Sequence, residues 1–172
     1  MKLKAKLIST IAAFAMVLCL TIVGVWAATT VNVTVTGTVG YIAKDVDATV
    51  EGTITGITET GKTYSQTFNS DTVGEPATGS WDLSNITFAK DQDVVITLKV
   101  TNNSTERALS AKLENKGDAA GTNTTAALGT TTEATVAAKT DASFTFTIKV
   151  TDWNKQASYA INLLLTLTNV AA

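Results

Sequence analysis

The chain has 172 residues, with 13 Lys and Arg against 15 Asp and Glu, no His and a single Cys, Cys19. A chain without His holds neither a Ser-His-Asp triad nor a Cys-His pair, and it lacks the His and Cys ligand sets of common zinc sites. Beyond residue 27, ten cations face fifteen carboxylates, a net charge of −5 that argues against nucleic acid or an anionic membrane surface as an electrostatic partner.

Lys2, Lys4 and Lys6 precede the apolar run Leu7–Trp26, the arrangement of a secretory signal peptide. Cleavage after Ala27 puts Val25 and Ala27 at the small-residue positions of the exit. A retained anchor is the competing reading, because an apolar run of about 20 residues also spans a bilayer. The charged start and small-residue exit favour removal, so membrane contact is expected only through the signal before cleavage. Residues 28–172 then form one domain of 145 residues with no cysteine and no disulfide, long enough to bury a core unaided.

The first strand is expected in the stretch 28–41. Val31, Val33 and Val35 alternate with Asn32, Thr34 and Thr36, and Val39 and Tyr41 continue the run, the period-two pattern of a half-buried strand. Residues 44–58 predict one or two short strands, bent at Gly52 and Gly56. Residues 62–68 predict another strand, and Asp71, Gly74, Pro76 and Gly79 mark 69–80 as an exposed loop. The clearest strand is 93–101, with Val94, Ile96, Leu98 and Val100 on one face, and 108–113 returns after a turn. Residues 117–135 are rich in Gly, Thr and Ala, with Leu128 their only large apolar residue, and predict a long surface connection, with short strand pairing near 134–137 as the alternative. Phe144, Phe146, Ile148 and Val150 define a strand over 142–152. Ile161, Leu163, Leu165 and Leu167 define the last, over 159–169.

Many alternating strands without an amphipathic helix predict an all-β fold, a single antiparallel β-sandwich with jelly-roll or immunoglobulin-like connectivity. No HExxH segment, P-loop or dinucleotide fingerprint is present, so no catalytic residue, cofactor or metal site is assigned and an enzyme is not expected. The pairs Asp45/Asp47 and Asp91/Asp93 supply too few oxygens for a calcium loop and read as solvated charge. Isolated aromatics beside strands usually pack in the core. As an alternative they stack on sugars: Trp81, Trp153, Tyr41, Tyr64 and Tyr159 are the candidates, with Trp81 and Trp153 the leading glycan contacts of a monomeric surface adhesin or carbohydrate-binding module. Asn32, Asn85, Asn102, Asn103 and Asn123 begin Asn-x-Ser/Thr triplets that matter only where glycosylation machinery exists.

The exit Gly24-Val25-Trp26-Ala27, together with the turn-to-strand passage 86–103 within DLSNITFAKDQDVVITLKVTNNS, resembles secreted proteins of the TasA/camelysin family of Gram-positive bacteria. That resemblance implies a jelly-roll-like structural protein of an extracellular or cell-surface fibre matrix, with self-association and contact with matrix components. Some members are described as metalloproteases, but this chain offers no His-based zinc site to receive that role. A sandwich lacking one strand exposes backbone donors and an apolar groove that an incoming strand satisfies together. Residues 28–41, with Val31, Val33, Val35, Val39 and Tyr41 as its apolar face, are the candidate donor. The competing reading is an ordinary first strand in its own sandwich.

Overall fold

The computed structural model describes residues 33–59, 62–69, 76–84 and 86–170. The expected signal, its cleavage site, Cys19 and Val31 lie outside the described residues. Twelve strands are found among the described residues: β1 (Val33–Lys44), β2 (Ala48–Thr55), β3 (Thr63–Phe68), β4 (Ala77–Asp82), β5 (Ile86–Thr87), β6 (Val94–Asn102), β7 (Leu109–Asn115), β8 (Ala120–Gly121), β9 (Thr124–Leu128), β10 (Glu133–Val136), β11 (Asp141–Val150) and β12 (Ala157–Asn169). They form two sheets. One runs β10-β7-β12-β1-β4, with β5 also paired to β1; the other runs β3-β2-β6-β11-β9-β8.

The fold is all-β, and its core follows from alternation. Leu109, Leu113, Ile161, Leu163, Leu165 and Leu167 point inward from the first sheet, and Val50, Ile54, Ile96, Leu98, Phe144 and Phe146 from the second; all are buried. Thr, Ser and charged residues take the outer positions, as at Lys99 and Thr145. Such alternation fixes which face of a strand is covered, because a one-residue slip turns the whole apolar set outward.

Three expectations are corrected. Residues 117–135 do not form one long surface connection: they contain β8 and β9 at one edge of the second sheet, while β10, at the edge of the first, lies at the place the sequence left open to short pairing. Thr and Ala suffice there because an edge strand buries little side chain; Thr124 is the buried exception, and its hydroxyl donates to the Ser158 carbonyl at 3.0 Å. The loop expected over 69–80 gives way to β4 from Ala77. Finally, the β2 segment is unbroken at Gly52, which pairs with Tyr64 on one side and Leu98 on the other. The bend lies at Gly56, where φ is +77° and a Cβ would meet the Asp93 carbonyl oxygen.

Candidate functional site: β1, its groove and its connector

Strand β1 is an interior strand. One edge pairs with β12 in parallel over its whole length, from Val33 opposite Ala157 to Lys44 opposite Thr168. This parallel ladder departs from the fully antiparallel sandwich expected, and the reason is topological: the first and last described strands enter from the same end. The other edge is covered in two pieces, by β4 over Thr38–Ala43 and by β5 at Thr34–Val35. Where the pieces meet, the Leu83 N–H donates to the Gly37 carbonyl at 2.9 Å.

The inward side chains of β1 are Val33, Val35, Val39, Tyr41 and Ala43, each 3% exposed or less. Burial of each valine contributes about 1.5–3 kcal/mol before the entropy of ordering is subtracted. The remaining inward position is Gly37, with φ +140°, and a Cβ there would lie 2.0 Å from the Ile161 carbonyl oxygen. Glycine is therefore required at this point of closest approach to β12. Removing β1 would uncover an apolar groove and leave the ladder-facing backbone of β12 and β4 unpaired, a combination that only another strand satisfies.

Tyr41 anchors the strand in an aromatic stack. Its ring lies 5.1 Å from that of Tyr64 at an interplanar angle of 4°, and 6.3 Å from Phe68. Tyr64 in turn stacks on Trp81 at 5.8 Å. Burial pushes the Tyr41 hydroxyl far above the usual tyrosine range, with the neighbouring Tyr64 adding to the shift. That hydroxyl has no hydrogen-bond partner among the described residues. The Tyr64 hydroxyl, by contrast, bonds to the Gln66 side-chain carbonyl.

The link from β1 to β2 is the three residues Asp45, Val46 and Asp47, and it carries the chain from one sheet to the other. Asp45 has φ +54°, a left-handed conformation that costs an aspartate less than most residues. The Asn103 N–H holds the connector through the Asp47 carbonyl at 2.8 Å. Both aspartates line an open cleft of about 850 Å³, shared with Asn103, Glu106, Arg107 and Lys139. Beside it Asn102, 1% exposed, donates to the Arg107 carbonyl at 2.8 Å and the Val136 carbonyl at 2.9 Å, and accepts from the Ser104 N–H at 3.0 Å. Its amide is thus committed to the fold rather than displayed as a glycan acceptor.

The other candidates fall elsewhere. Trp81 is 6% exposed, with one face on Tyr64 and its ring edge over Gly52, so it offers no face to a sugar in this structure. Trp153 is half-buried and meets Phe88 edge-on at 6.3 Å. Asp91 sits at a turn with φ +59°, and Asp93 pairs with Lys149 at 3.1 Å. Among the described residues no group of three or more carboxylates converges as a metal site would need. Gly37 and the Asp45–Asp47 connector escaped sequence reasoning; the near-symmetric VTGTV around Gly37 was the available signal.

Fold and site define an all-β, sandwich-like protein whose first described strand lies inside one sheet. No protein-family model matches the chain, and no curated protein is similar to it by sequence.

Proposed function

We propose that the protein is a secreted structural subunit of an extracellular fibre or biofilm matrix, jelly-roll-like in connectivity, in which β1 of one copy fills the groove of the next. The supporting observation is the position of β1: it is the first described strand, it is interior, and the covalent link from it to β2 is only three residues long. Short hinge loops with a strained residue favour exchange of the element they tether, because the contacts made in the second copy equal those given up in the first. Asp45, with φ +54°, is the left-handed residue of this connector. The partner is thus another copy of the same chain, and the role is mechanical rather than catalytic.

Electron microscopy and sedimentation of the chain beginning at Ala28, across a concentration series, test this reading. Concentration-dependent filaments are expected. A monodisperse monomer at every concentration, after prolonged incubation and seeding, would contradict it.

A further inference from the structure

The inward residues of β1 read Val33, Val35, Gly37, Val39, Tyr41 and Ala43, and the five residues centred on Gly37 read Val-Thr-Gly-Thr-Val in both directions. Reversal of the strand about Gly37 keeps the glycine opposite Ile161, where no Cβ fits, and keeps valine on either side of it. It also keeps threonine at both flanking outward positions, Thr36 and Thr38, which are exposed. The inward positions that change size lie outside this central part: Val33 exchanges with Tyr41, and Ala43 with residue 31, a valine in the sequence. Over Val35–Val39 the inward side-chain pattern is therefore the same in either direction.

The connector decides which direction builds a fibre. From Lys44 to Ala48 the chain spans four Cα steps, about 14 Å when extended. A donated β1 running parallel to the acceptor's β12 would place Lys44 beside Thr168 of the acceptor, at the end of the sandwich from which the acceptor's own β1 departs. The two connector ends would then lie together, and each strand would reach the other's groove, closing a two-fold pair. A donated β1 running antiparallel would place Lys44 near the turn that precedes Ala157, at the opposite end of the acceptor. That contact is head-to-tail and leaves the acceptor's own strand free to continue the chain of copies.

We infer that β1 lies parallel to β12 within its own subunit and antiparallel to β12 in the neighbour, the near-palindrome about Gly37 permitting both. The inference rests on the strand-exchange reading and specifies its geometry. Reversal also withdraws the Tyr41 hydroxyl from the aromatic stack in which it has no partner among the described residues.

Cysteine pairs on the exposed face of the β1–β12 ladder read the direction, since the chain beginning at Ala28 has no native cysteine. Thr36 faces Ala160 in the parallel register. In the reversed register Thr38 faces Ala160 instead. Filaments of the full mature chain carrying T38C with A160C should give, on oxidation, a ladder of covalent multimers in a non-reducing denaturing gel. Those carrying T36C with A160C should give no multimers. Covalent dimers or multimers from T36C with A160C would overturn the reversal while leaving exchange intact. Filaments that neither pair links would overturn exchange of β1 itself, as would closure of T36C with A160C solely within single chains in a preparation that forms no filaments.

Discussion

The ring of Trp81 on β4 fills the space that a side chain on Gly52 of β2 would occupy: a Cβ on Gly52 would lie 2.5 Å from the Trp81 Cζ3 atom. The two residues belong to different sheets, so this contact sets the spacing of the sandwich beside β1. Gly52→Ala is expected to destabilise the protein by about 1–3 kcal/mol, the usual cost of overpacking a core. Combining it with Trp81→Leu should recover part of that loss, giving a coupling energy in a double-mutant cycle read by urea denaturation. Simple additivity would contradict the contact.

Gly37 is the corresponding position between neighbouring strands of one sheet. Gly37→Ala forces a Cβ against the Ile161 carbonyl and a positive φ on alanine, and is expected to lower the thermal midpoint and suppress filaments together. Thr36→Ala, one residue away on the exposed face, should leave the thermal midpoint within the small range of ordinary surface changes.

Strict alternation made β6, β11 and β12 legible, because each buries one continuous apolar face. It says nothing of direction, which is why the parallel β1–β12 ladder was not anticipated. Gly52 read as a bend because a glycine in a strand looks the same whether the chain turns or a ring from the other sheet needs the room. The edge strands β8 and β10 and the adjoining β9 carried little apolar signature, with Val136 the one buried apolar side chain among them, since Thr and Ala there serve backbone pairing rather than burial. The candidate donor was visible in its valines; its connector was not, for Asp45–Asp47 matters through the left-handed turn at Asp45 and not through a motif.

The buried Tyr41 hydroxyl gives a pH dependence. Its pKa is raised on folding, so the neutral form is favoured in the native state, and the stability tied to it is fully present below the unfolded tyrosine value, about 10. As the pH rises past that value the unfolded chain ionises first and stability falls. Tyr41→Phe should flatten this alkaline loss, measured by urea denaturation between neutral and strongly alkaline pH. At neutral pH the same change should stabilise the protein by about 1 kcal/mol, because it removes a buried hydroxyl without orphaning a partner.

Asn102 ties the β6–β7 turn to β10 by donating to the Arg107 and Val136 carbonyls. Asn102→Ala leaves both acceptors and the Ser104 N–H without that amide, and an expected loss of about 2–3 kcal/mol follows. Asn103→Ala removes only the side-chain bond to the Thr49 hydroxyl at 3.0 Å, and should cost less than half as much in the same denaturation experiment.

Exchange of β1 is tested most directly by locking the strand at home. The chain beginning at Ala28 with T36C and A160C, oxidised as a dilute monomer, carries a disulfide across the parallel ladder that holds β1 in its own groove. Electron microscopy should find no filaments while the bond is intact, and filaments at the unmodified protein's concentration once a reductant opens it. Filaments formed equally well by the locked monomer would contradict strand exchange.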